Sequence, residues 1–193
     1  MSASKEASSN VHEGSTYKPS IDLEAQPITA TIATVPGLIS LTGKEPIVFL
    51  DLETTGLGPD ADICQLAAVC GDKSFDLYTM PIKPISSGAS TVTGLTVKYN
   101  KMYHNSKEVV SVPVSEALAG FISFISAIGE KPVIMGHNIE CFDIPVIYRH
   151  LIDHRRVNDL EKLVLCCVDT LPLAKKLIDK ETTENYKQET LVK

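Results

Sequence analysis

Residues 47–57, Ile-Val-Phe-Leu-Asp-Leu-Glu-Thr-Thr-Gly-Leu, constrain this chain more than any other stretch. Four apolar residues lead into Asp51, Leu52 intervenes, and Glu53 follows. A short apolar run bounded by Pro46 and Gly56 predicts a buried strand. Side chains two apart on a strand share a face, so Asp51 and Glu53 point one way and Leu52 the other. Two carboxylates crowded at the end of a core strand repel each other and are costly to strip of water. A divalent cation removes that cost, and carboxylate and water oxygens suit Mg²⁺ or Mn²⁺. Taken alone, an Asp-x-Glu is more often a pair of acids solvating a strand end. The longer string Asp-Leu-Glu-Thr-Thr-Gly-Leu after an apolar run is far rarer by chance.

Around this strand the pattern predicts one domain and a tail. Residues 1–44 are rich in Ser, Thr, Ala and Pro without sustained periodicity, and are expected to be disordered or loosely attached. Within them, Ile28–Leu41 is mildly apolar and β-branched, suited to an edge strand or a protein partner. Residues 45–193 form the expected domain. Asp62–Cys70 and Ser74–Met80 flank Gly71-Asp72-Lys73 and predict a hairpin. Pro81 to Tyr103 reads as a long connection with at most a helical turn. Ser115 is expected to cap a helix with apolar Leu118, Phe121, Ile122, Ile125 and Ile128, stopped at Gly129. Pro132–Met135 predicts a short strand. Ile144, Ile147, Tyr148, Leu151 and Ile152 predict one clean helical face. Leu163–Val168 predicts another strand. Asp169-Thr170 then caps a helix to about Asp179, with Leu173, Leu177 and Ile178 facing inward. The order implies an α/β fold, a mixed sheet covered by helices.

Charge and cysteines narrow the setting. The net charge is −6, so no overall basic field announces a nucleic-acid binder. Acidity does not exclude such a substrate, because cations held among carboxylates reverse the local field. Five cysteines without a Cys-x-x-Cys fit a reducing compartment, nucleus or cytoplasm. Cys166-Cys167 could be a redox pair or zinc ligands, but two small buried residues beside a strand are the simpler reading. No apolar run approaches membrane-spanning length.

A third acid, Asp143, opens the clean helix, with Pro145 in its first turn. By itself it is what an ordinary N-cap looks like. Asp51-Leu52-Glu53-Thr54-Thr55-Gly56, together with His137-Asn138 and Phe142-Asp143, resembles the first two motifs of the DEDD family of 3′–5′ exonucleases, of ribonuclease H-like fold. Asp62-Ile63-Cys64-Gln65-Leu66-Ala67-Ala68, Thr93-Gly94-Leu95-Thr96 and Val168-Asp169-Thr170-Leu171 are similar to secondary signatures of that family. The resemblance runs from about Pro46 to the chain end, and its flavour is that of the animal repair-exonuclease branch.

The resemblance implies a role for each position. Asp51, Glu53 and Asp143 would be catalytic and hold two Mg²⁺ ions, with Mn²⁺ as substitute and Asp51 bridging them. Thr54, Thr55 and Leu57 would seat the terminal nucleotide, Leu57 packing on its base. His137 and Asn138 would support the second-motif loop or touch the sugar–phosphate. The family's third motif, a general-base His in His-x-x-x-x-Asp, has no counterpart after Tyr186–Leu191. His154 and Asp159 have that spacing but precede Asp169, at the end of the Asp143 helix far from the expected ions. The domain is therefore expected to be C-terminally incomplete, without a helix that would cover the sheet, so that apolar surface is exposed.

Two functional expectations follow from these motifs. One is a Mg²⁺-dependent 3′–5′ exonuclease acting on single-stranded or frayed nucleic-acid 3′ ends, impaired by the missing base. The other is an inactive exonuclease-fold module that binds nucleic acid or protein.

Overall fold

The computed structural model describes residues 39–191. Residues 1–38 of the expected tail, and with them its protein partner and most of Ile28–Leu41, lie outside the described residues. The motif strand is β1, Ile47–Thr54, and it is followed by β2, Ile63–Cys70, and β3, Lys73–Thr79. Burial alternates along β1: Val48, Leu50, Leu52 and Thr54 are buried, while Asp51 and Glu53 lie on the opposite face. Gly71, at φ 60°, makes the β2–β3 turn.

The 81–113 connection is more ordered than its sequence suggests. It holds helix α1, Ser87–Thr93, and three short strands: β4, Leu95–Lys98, β5, Lys101–His104, and β6, Lys107–Val109. These form their own antiparallel sheet. Its hairpins turn on Tyr99-Asn100 and Asn105-Ser106, all four residues with positive φ. Such turns normally advertise themselves with glycine, and here asparagine is the only signal. Strand β7, Ser111–Val112, then joins the main sheet beside β3.

Helix α2, Val114–Ser126, enters through Pro113, not Ser115. The Pro113 carbonyl accepts from the Glu116 and Ala117 N–H groups, and proline suits this entry because its missing N–H is not needed there. Strand β8 is Val133–Gly136, helix α3 is Asp143–Asp153 and helix α4 is Val157–Glu161. Strand β9, Cys166–Asp169, leads directly into helix α5, Thr170–Leu177, with Asp169 capping the Leu171 N–H as expected. A 3₁₀ turn, Lys180–Thr182, and a one-turn helix α6, Gln188–Leu191, follow. No helix among the described residues is long and apolar enough to cross a membrane.

The main sheet runs β7-β3-β2-β1-β8-β9. β1 pairs antiparallel with β2 and parallel with β8, and β8 pairs parallel with β9, giving the mixed sheet expected. One face packs on α2, α3 and α4 through Val48, Leu50, Leu66, Phe121, Ile147, Leu151 and Leu160. The other face carries exposed Ile47, Phe49 and Val69. The α3 stripe is turned by one residue from the expected face. Val146, Ile147, His150 and Leu151 are buried and Ile152 is exposed, because the row that meets the sheet begins at Asp143. Leu173 and Leu177 are exposed too, since α5 leaves the sheet's edge strand with no described element over its outer side.

Asp62 ties three segments together. Its carboxylate accepts from the Ile82 and Lys83 N–H groups at 2.9 and 2.8 Å and lies 3.8 Å from the Arg149 guanidinium. Asp62→Ala removes the shared acceptor of these donors in a partly buried spot. Urea unfolding is expected to show a loss of about 2–3 kcal/mol.

Candidate active site

The site forms where β1 and β8 part. Their parallel pairing ends at Phe49↔Met135. Beyond it, the edge of β1 that faced β8 needs another partner. Asp143 Oδ1 accepts from the Leu52 N–H at 3.0 Å. The carboxylate at the start of α3 is thereby held between the residues that carry Asp51 and Glu53. Asp143 is not the helix cap; the cap position is Phe142, with no side-chain cap bond. Its side chain reaches back to the strand, 91 residues away in sequence.

The three acids feel one another. Burial pushes the Asp143 carboxyl up to about 7; the charge of Asp51 adds to this, the Leu52 N–H opposes it, and Glu53 raises it further. The Glu53 carboxyl is raised by burial and by Asp51, with the His104 imidazole opposing. Asp51 is open to water along one side but sits low enough among its neighbours that lost hydration raises its carboxyl as well. Crowded acids that resist ionisation are what a hard cation relieves, and the donor set is all oxygen, as Mg²⁺ and Mn²⁺ prefer. Among the described residues, no three His, Cys, Asp or Glu side chains are already gathered around one point. The Asp51 and Glu53 side chains make no hydrogen bond among the described residues and are free to rotate toward a cation, whereas Asp143 is fixed.

Beside Glu53 opens a cleft of about 470 Å³, lined by Leu52, Glu53, Thr54, Leu57, Val92 and Phe142 among others. Leu57 and Val92 both line it and are 91% and 87% exposed, which leaves two apolar side chains facing solvent. The Thr54 hydroxyl donates to the Gly56 carbonyl at 2.7 Å and shapes the turn that presents Leu57. Thr55 is buried and holds the same loop closed. Its N–H donates to the Asp62 carbonyl at 2.9 Å and its hydroxyl accepts from the Asp62 N–H at 3.0 Å. It does not line the cleft.

His137 and Asn138 also support the loop. The His137 Nε2–H donates to the Tyr186 carbonyl at 2.6 Å, and Nδ1 lies 3.0 Å from the Thr170 hydroxyl. Asn138, at φ 62°, donates its N–H to Asp169. Asp169 is a residue that sequence reasoning undervalued. Read only as a helix cap, it also accepts from the Asn138 and Glu140 N–H groups, so one carboxylate pins the whole second-motif loop against the edge strand. His154 and Asp159 sit beyond the C-terminal end of α3, whereas Asp143 occupies its first turn. All five cysteines are free, and burial, with Asp62 and Glu53 adding, pushes the Cys64 thiol up to about 12, which leaves it inert.

Comparison with known proteins agrees with the geometry. The chain is 33% identical over 172 residues to a PolC-type DNA polymerase III of Thermotoga maritima, an alignment spanning 83% of this chain and 11% of that protein. A solved structure of exonuclease I superposes with a TM-score of 0.59 at 19% identity, covering 77% of this chain and 35% of its own. E. coli exonuclease I in complex with a dT13 oligonucleotide gives 0.54 at 20% identity, over 69% and 29%. The chain shares the exonuclease I fold, a mixed sheet flanked by helices. No protein-family model matches it. The chain spans about a tenth of its polymerase relative and about a third of the exonuclease I chains.

Proposed function

We propose that this domain is a 3′–5′ exonuclease that hydrolyses phosphodiester bonds at single-stranded or frayed nucleic-acid 3′ ends. The observation that carries the reading is the seating of Asp143 on the Leu52 N–H, between Asp51 and Glu53 and beside an apolar cleft. Asp51, Glu53 and Asp143 would hold two Mg²⁺ ions, or Mn²⁺. When bound, these would supply an activated water and charge stabilisation at the leaving 3′ oxygen. Leu57 and Val92 would sandwich the terminal base, and the loop pinned by Asp169 keeps Asp143 in place. Support for the ligand class comes from the shared fold: one solved neighbour is an E. coli exonuclease I–single-stranded DNA complex with zinc, at TM-score 0.53 and 20% identity.

A 5′-labelled oligonucleotide incubated with Mg²⁺ or Mn²⁺ should shorten from its 3′ end one nucleotide at a time. Asp51→Ala should lower the rate by on the order of 10³ or more while leaving the melting temperature unchanged or higher. A rate indifferent to Asp51→Ala, or to chelation, would overturn the assignment. The second reading, a binding module, is favoured by the ungathered acids; it predicts oligonucleotide binding that neither cations nor Asp51→Ala alters.

A further inference from the structure

A second polar wall faces Glu53, and the proposed chemistry above does not use it. β2 carries a bulge beside Glu53. The register runs Glu53↔Gln65 and then Thr54↔Ile63, so Cys64 is an extra residue. Bulges of this kind turn neighbouring side chains toward a site. Cys64 packs with Leu95 and Met102 and with Tyr78, fastening the small sheet over this end of the main one. Cross-strand partners share a face, and Glu53↔Gln65 and Gln65↔Tyr78 make one row across three strands. Tyr78 therefore stands roughly 10 Å from Glu53, backbone to backbone, two strand spacings away.

At the end of that row the small sheet delivers His104. The Tyr78 hydroxyl lies 3.0 Å from His104 Nδ1, and His104 Nε2 lies 3.1 Å from the Asn105 side-chain nitrogen. The Asn105 amide donates, so Nε2 accepts and Nδ1 carries the proton. Nδ1–H then donates to the Tyr78 oxygen. The remaining Tyr78 O–H proton has no acceptor among the described residues. Asn105 is itself fixed by its N–H to the Gly94 carbonyl at 2.9 Å and by close packing on Gly94, which has φ 70° and no Cβ to obstruct it. Asp76 and Glu53 both act on Tyr78 once burial has raised its hydroxyl.

We propose that Tyr78, oriented by the Asn105–His104 pair, is a hydrogen-bond donor to an anionic phosphate oxygen of the bound strand. A neutral donor suits this place, where a lysine would compete with a cation for Glu53 and a carboxylate would repel the phosphate. Tyr78 is a binding residue and His104 a positioning residue. The inference rests on the exonuclease reading only in taking the strand to lie across the Asp51–Glu53 face.

The test measures binding of a fluorescent oligothymidylate in EDTA, where nothing is cleaved. Tyr78→Phe is expected to weaken binding about tenfold, the worth of one hydrogen bond to a charged group. His104→Ala should do the same, the double variant no more, and His104→Asn should recover most of the loss, since its amide can take the place of Nδ1–H. Replacing the phosphodiesters by methylphosphonates, which have no anionic oxygen, should erase the Tyr78→Phe effect. If Tyr78→Phe binds like the parent, or is equally impaired on methylphosphonates, the Tyr78 assignment is overturned while the exonuclease reading stands. If the parent binds no oligonucleotide in EDTA, the Tyr78 assignment falls while the exonuclease reading stands on cleavage in Mg²⁺; without that cleavage both fall. Circular dichroism melts separate a folding defect, which would weaken both strand chemistries alike.

Discussion

Asp143→Asn should make the cation-free protein more stable than its parent at pH 8, and unable to cleave nucleic acid. The Asp143 carboxyl, ordinarily near 3.8, is pushed up to about 7 in the fold by burial and by Asp51. A group raised in this way favours the folded state while protonated. Its contribution is full below about pH 4 and is lost as the pH climbs through 7. Asparagine keeps an oxygen for the Leu52 N–H and never ionises. Denaturation in EDTA should show the parent losing about 2–4 kcal/mol between pH 5 and pH 8 and the variant much less. His150, buried and held below its usual value chiefly by burial, slopes the other way. It costs stability as the pH falls below its unfolded value, and it does so in both proteins, so their difference isolates Asp143. Cation binding by the parent should release a proton near pH 6 and tighten toward pH 8. Identical pH slopes in the two proteins would refute this account of the site.

Gly136→Ala should damage both fold and site. A Cβ at this position would meet the Leu50 carbonyl oxygen at 2.9 Å and Ile139 at 2.7 and 2.9 Å. One obstacle is backbone of the motif strand, which cannot swing aside. Relief means moving β8 away from β1 or lifting the loop that ends at Asp143. Urea unfolding should register about 3 kcal/mol of lost stability. Residual folded protein should bind cations more weakly than an equally destabilised core variant on α2, such as Ile125→Ala. Parental cation affinity at full folding would show that the close approach does not govern the site.

The strongest features of the fold were plain in the sequence because they are local. β1 and the β2–β3 hairpin follow from alternation and a glycine turn, and the Asp51/Glu53 pair follows from a two-residue period. α3 was plain as a helix, but its facing was not. The apolar pattern alone favours Ile152, while the true stripe includes Asp143 and His150, polar residues whose burial depends on partners elsewhere. The small sheet went unread because its turns use Tyr99, Asn100, Asn105 and Ser106 in a conformation that glycine usually signals. With it, the His104–Tyr78 wall was hidden. Asp169 was visible as a cap, but its grip on Asn138 and Glu140 depends on a strand neighbour that no local pattern encodes. Thr55 shows the converse: a motif residue expected at the nucleotide is occupied in holding its own loop.

The bond between Leu52 and Asp143 spans 91 positions of chain. A nascent polypeptide therefore cannot assemble the acidic trio until α3 has been made and docked, and fragments ending before it hold only two of the three. Contacts that far apart close late in folding, after shorter loops have formed. Divalent ions should accordingly act as a latch on the finished domain, slowing its opening while leaving the rate at which it first forms almost unchanged.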